Sequence, residues 1–189
     1  QDTVNIGKMT VQSDTPDVDF DKLTGDLKKR IKGDVDIRVQ STHAVLELRA
    51  DQVVVAREAL KEIRPNIRIM STGDSLEIYK EVGFPKDVAS RFDIAKMSGS
   101  HGIGHTRMAT ESAVTTMGAH PFNTGSDQCL VHNGSLSNHN SLRRKLRRDG
   151  VHIETENDTE VGAAYLTWKM QNGSTLGEAL ESSLEDLDG

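Results

Sequence analysis

A chain of 189 residues, 35% hydrophobic and 28% charged, is long enough for one domain of ordinary size, or for one domain carrying a smaller module. Its net charge of −6 supplies no global basic field for nucleic acid or an anionic membrane, and its single cysteine excludes an intramolecular disulfide. No apolar run approaches the roughly 20 residues of a spanning helix, so a soluble chain is expected.

In chain order, residues 19–33 (DFDKLTGDLKKRIKG) place Leu23, Leu27 and Ile31 four apart, with acids early, bases late and Gly33 after the last turn; this predicts one amphipathic helix. VDIRVQS (35–41) and HAVLELRA (43–50) read as strands. DQVVVAREALKEIRP starts on a candidate cap at Asp51 and is stopped by Pro65, as a second helix would be. NIRIMS (66–71) and SLEIYKEVG (75–83) alternate as further strands. Residues 14–78 are thus expected to form a small α/β unit. It carries no Gly-rich phosphate loop and no catalytic cluster, so its default role is structural or interfacial.

The texture changes at residue 98, where SGSHGIGHTRMATESAVTTMGAHPFNTG has little helical periodicity and many Gly, Ser, Thr and His residues. Polar loops on short strands are where sites tend to lie. DQCLVHNG (127–134) reads as a buried strand running into a turn at Asn133-Gly134, and NHNSLRRKLRRDG (138–150) as a helix anchored by Leu142 and Leu146 and closed at Gly150. HIETENDTEVGAAYLTWKMQNG predicts a short strand, a turn and a helix whose first residues follow Asp158. A last helix places Leu176, Leu180, Leu184 and Leu187 along one side.

Two other chemistries are weighed and set aside. His101 and His105 are four apart, and Cys129 and His132 three apart, but on strands and loops that spacing does not put ligands on one face, so no metal is expected. The run LRRKLRR sits on a helix with two apolar anchors and reads as a solvated face rather than a nucleic-acid surface.

Four motifs, GIGHTRMAT (102–110), AHPF (119–122), VHNGSLSNH (131–139) and ETENDTEV (154–161), resemble in order and spacing the class II glutamine amidotransferases. The similarity covers roughly residues 79–189, and residues 1–78 read as an N-terminal flank with an inserted α/β module. The resemblance implies an α+β fold, the four-layer αββα sandwich of the N-terminal-nucleophile hydrolases. The glutaminase-type subunit of a glutamate-synthase-like complex, such as N-methylglutamate synthase, is a closer match to expect.

In such an enzyme each residue type has a separate task. Arg107 offers a planar fork for the α-carboxylate of glutamine, and Asp158 an acceptor for its ammonium group. Asn133 through its side-chain N–H and Gly134 through its backbone N–H match the family's oxyanion hole. Thr110 and His120 stand where the family lines the pocket. The plain alternatives stay open at this point: Asn133-Gly134 as a hairpin turn, Arg107 as a surface ion pair and Asp158 as a helix cap.

The family's nucleophile is a cysteine at the mature N-terminus, whose own α-amino group acts as base. Cys129 lies in an apolar run at a core-strand position and is expected to be inert. The chain opens on Gln1 and closes on Gly189 directly after a helical pattern, so both edges are expected to be cuts through a larger protein whose missing N-terminal segment supplies the nucleophile. The expected partners are glutamine and a synthase domain or subunit that accepts ammonia, in a cytoplasmic hetero-oligomer without cofactor, nucleic acid or membrane. The alternative is a catalytically silent amidotransferase-like scaffold or glutamine-binding subunit.

Overall fold

The structure, a computed structural model, describes residues 5–107 and 113–189. These divide into two compact units, one running to Tyr79 and including Gly83–Gly99, the other formed by Lys80–Val82 and Ser100–Gly189.

In the first unit, β1 (Ile6–Gln12), β2 (Val35–Gln40), β3 (His43–Arg49) and β4 (Arg68–Gly73) form an antiparallel sheet in the order β2-β3-β1-β4. Helices α1 (Pro16–Asp19) and α2 (Leu23–Leu27) join β1 to β2, α3 (Val53–Ile63) joins β3 to β4, and α4 (Pro85–Arg91) follows the sheet in the chain. This is the βαββαβ order of ferredoxin-like units. Alternation assigns the faces: Met9 stands opposite Leu46 and Val11 opposite Ala44, and these residues meet Leu23, Leu27, Ala56 and Leu60 in one apolar core. The other face buries Thr10, His43 and Ser71, and the rings of Tyr79 and Phe92 lie 5.8 and 4.9 Å from that of His43.

Two expectations are corrected here. The single helix over 19–33 is broken: Lys22 is left-handed at φ 54°, and α2 spans only five residues. A residue in that conformation cannot continue a right-handed helix, and Gly25 weakens the segment further. The apolar spacing still marks the buried face, since Leu23, Leu27 and Ile31 are all in the core. The stretch 75–83 joins no ladder among the described residues; Glu77 is held by side chains instead, accepting from Lys8 at 2.9 Å and Arg38 at 2.8 Å. β1 itself lies outside the expected 14–78 unit.

In the second unit, β5 (Phe122–Gly125) and β6 (Gln128–Leu130) pair as an antiparallel hairpin that turns through Ser126 and Asp127, the latter at φ 53°. Three helices follow: α5 (His139–Arg148), α6 (Asp158–Gln171) and α7 (Leu176–Asp186). α6 packs against β5, β6, α5 and α7, which is why it is buried round most of its girth and carries the small run Gly162, Ala163 and Ala164. Leu142 and Leu146 of α5 join Val161 and Tyr165 of α6 in the second core.

The basic helix differs from a solvated face at one point. Arg143 is buried, donating to Asn140 Oδ1 at 2.7 Å and pairing with Glu156 at 2.9 Å. The short strand expected in HIETEN is a loop, tied down by Glu160, which accepts from the backbone N–H groups of Glu154 and Thr155 at 2.7 and 2.6 Å. On α7, a Thr175–Glu178 capping box starts the helix, and its buried residue is Ala179, whereas Leu176, Leu180 and Leu184 are exposed. Antiparallel sheets and seven α-helices among the described residues make the chain α+β. None of the described helices is long and apolar enough to cross a membrane.

Candidate active site

The start of α6 organises the site. Asn157 is the cap: its side-chain oxygen accepts from the Thr159 N–H at 2.9 Å. Asp158 therefore occupies the first helical position, where the positive end of the helix favours a carboxylate. Its Oδ1 accepts from the Thr159 N–H at 2.8 Å and its Oδ2 from the Leu136 N–H at 2.9 Å. The second bond fastens the loop 132–136 to the helix.

That loop carries Asn133 and Gly134, both exposed. They lie outside the hairpin, whose turn is at Ser126-Asp127, so the hairpin-turn alternative does not describe them. A Cβ at Gly134 would lie 2.8 Å from Nε2 of His132, so any side chain there would have to displace the His132 ring. The loop lines an open cavity of about 490 Å³ together with Ser183, Leu184 and Leu187.

Arg107 donates from Nη1 to the Gly118 carbonyl at 2.6 Å. The neighbouring His120 is buried, with Nε2 2.8 Å from Thr159 Oγ1, and the same hydroxyl lies 3.5 Å from Nδ1 of His132. Thr159 thus stands between the segment that follows Arg107 and the loop that carries Asn133. The His105 ring lies against that of His120, centroids 4.2 Å apart. Burial pushes His120 down to about 4, helped by the positive field of His105, Arg107 and Lys80 and opposed by Asp158. His120 is accordingly neutral at pH 7.

Lys80 is buried and donates to the carbonyls of Ala119 at 2.9 Å and of Met117 and Pro121 at 3.3 Å each. Burial lowers it to about 8, against the pull of Glu160 and Glu154. Cys129 is half-buried on β6, and burial raises its thiol above the ordinary range, which keeps it protonated and weakly nucleophilic at pH 7. Thr110 lies outside the described residues.

Of the residues singled out from sequence, the structure brings His120 to Thr159 at the start of α6 and fastens the loop of Asn133 and Gly134 to Asp158, while Arg107 rests on the Gly118 carbonyl two residues before His120. Sequence reasoning missed Lys80, Gly118 and Thr159, and treated His132 only as half of a metal pair. Thr159 directly follows Asp158 in the ETENDTEV motif, which was the available signal.

Comparison with known proteins bears on the same segment. Residues 93–180 match the glutamine amidotransferase domain family. The chain is 62% identical over 187 residues to the glutamine amidotransferase-like protein GlxB of Rhizobium meliloti, which covers 99% of this chain and 62% of that protein. A relative in Methanothermobacter thermautotrophicus, provisionally named a glutamine amidotransferase, is 34% identical over 183 residues, covering 91% of this chain and 58% of the relative. Over 123 residues, 65% of the chain, it is 32% identical to a glutamine–fructose-6-phosphate aminotransferase of Vibrio vulnificus, 20% of whose length is matched. The chain therefore spans about three fifths of the first two relatives. The glutamine amidotransferase domain thus lies in residues 93–180, the segment that holds Arg107, the Asn133-Gly134 loop and Asp158.

Proposed function

We propose that this chain is the glutamine-binding body of a glutaminase, which hydrolyses glutamine to glutamate and passes the ammonia to a synthase domain or subunit. The observation that carries the reading is the Asp158–Leu136 bond: it joins an ammonium acceptor to the loop that presents two oxyanion donors. In this reading Arg107 holds the α-carboxylate, Asp158 the α-ammonium group, and neutral His120 lines the pocket. Since Cys129, the single cysteine of the sequence, sits within strand β6 and has no free α-amino group to act as its base, the nucleophile in this reading is a cysteine outside residues 1–189. Its sulfur adds to the side-chain amide carbon, and the oxygen of that amide becomes an oxyanion held by the Asn133 side-chain N–H and the Gly134 backbone N–H. Collapse expels ammonia and leaves a thioester, which water cleaves to glutamate. The complete domain would take the αββα sandwich architecture.

The test is glutamate release from glutamine by the full-length protein. Turnover that disappears when the proposed nucleophilic cysteine is replaced by alanine, while glutamine still binds, supports the reading. Binding without turnover in the unaltered protein would favour a glutamine-binding subunit, and neither binding nor turnover a scaffold.

A further inference from the structure

Four backbone carbonyls within residues 117–121 are engaged by two cations. The Lys80 ammonium takes those of Met117, Ala119 and Pro121, and the Arg107 guanidinium takes that of Gly118 between them. An ammonium has three donors, so Lys80 is saturated by this segment alone. It also sits 4.6 Å above the Phe122 ring. Only 6% of the residue is exposed.

A buried cation is costly unless it is fully paired, and packing alone would be served as well by methionine or leucine. Such a side chain could fill the volume but could not fix the direction of three carbonyls. The Met117 carbonyl lies in the peptide plane before Gly118 and the Ala119 carbonyl in the plane after Ala119, so Lys80 holds the two planes that bracket the Gly118–Ala119 peptide, whose carbonyl is the acceptor against which Arg107 rests. The same clamp ends at Pro121, next to His120.

We propose that Lys80 is a positioning residue for glutamine: by holding the carbonyls on either side of it, Lys80 orients the Gly118 carbonyl that aims Arg107, and so governs recognition of the α-carboxylate without touching it. The proposal rests on the reading of Arg107 as the carboxylate ligand.

The experiment compares two ligands in the full-length protein, glutamine and its α-carboxamide analogue glutaminamide, which lacks the carboxylate. Calorimetric affinities are measured for the unaltered protein, Lys80→Met, Arg107→Ala and the double variant. Lys80→Met is expected to weaken glutamine about tenfold and glutaminamide less than twofold, and to add less than twofold in the Arg107→Ala background. Should Lys80→Met fold poorly, Lys80→Arg is read by the same ratio, since it keeps the charge but not the three-carbonyl geometry; a smaller preference for glutamine over glutaminamide is the expected result. Equal weakening of both ligands, unchanged affinity, or full multiplication with Arg107→Ala overturns the positioning role and leaves the glutamine site standing. If Arg107→Ala itself leaves glutamine affinity unchanged, the carboxylate assignment falls and takes the proposal with it.

Discussion

The Arg107 guanidinium occupies the space that a side chain at Gly118 would need. A Cβ at Gly118 would lie 2.9 Å from Arg107 Nη1, the same nitrogen that donates to the Gly118 carbonyl at 2.6 Å. The nearest obstructing atom is the tip of a flexible side chain, and Thr115 Oγ1, next at 3.1 Å, need give by only a few tenths of an ångström, so Gly118→Ala is expected to displace Arg107 rather than disrupt the fold. The expected outcome is a rise of about fivefold to tenfold in the glutamine dissociation constant, about 1 to 1.4 kcal/mol, with little change in melting temperature. Calorimetry and thermal melting of the full-length variant check this; unchanged affinity would show that Arg107 has no role in binding from this position.

Asn133 separates binding from turnover. If its side chain donates only to the oxyanion, Asn133→Ala is expected to lower kcat by roughly 100-fold, about 3 kcal/mol, while KM changes little. Steady-state glutamate release measures both, and a rate within threefold of wild type would remove Asn133 from the reaction.

Asp158 has two duties that substitution can separate. Asp158→Asn keeps an oxygen for the Leu136 N–H, which the carboxylate holds at 2.9 Å, but removes the charge. It is expected to weaken glutamine at least tenfold and to leave glutaramate, the analogue without the α-amino group, nearly unaffected. Equal loss for both ligands would mean that Asp158 acts only by fastening the loop.

These residues show how much was legible in the sequence. Local pattern located β2, β3, β4, α3, α5 and α6, because their apolar periodicity is carried within each segment. It missed β1, whose IGKMTVQ places Gly7 and Lys8 early and whose ladder partners lie on the distant β3 and β4. It also ran one helix through Lys22, where the backbone turns left-handed. Within the site, motif order pointed to Arg107, Asn133, Gly134 and Asp158 as a set. Lys80 stayed hidden because a lysine in YKEVG reads as solvated, and its carbonyl partners lie 37 to 41 residues away. The Thr159–His132 approach spans 27 residues and leaves no periodic trace.

His120 gives the pH prediction. Its folded value is lowered to about 4 from an ordinary 6.5, so between these limits the unfolded chain binds a proton that the folded chain refuses. Stability from this group is fully present above pH 6.5 and is lost progressively as pH falls towards 4. Histidine NMR titration should show the His120 imidazole still neutral at pH 5.5, with glutamine affinity free of a His120 transition between pH 6 and 7.5. A midpoint near 6.5 would contradict its burial beside the Arg107 and Lys80 cations.

The central claim, that Arg107, Asp158 and the Asn133-Gly134 loop together form one glutamine site, is tested most directly by a crystal structure of the full-length protein bound to an unreactive glutamine analogue. The expected result is an α-carboxylate paired with Arg107, an α-ammonium group on Asp158, and the side-chain carbonyl oxygen directed at the N–H groups of Asn133 and Gly134. An analogue seated elsewhere, or one bound here with its carboxylate and ammonium groups away from Arg107 and Asp158, would contradict it.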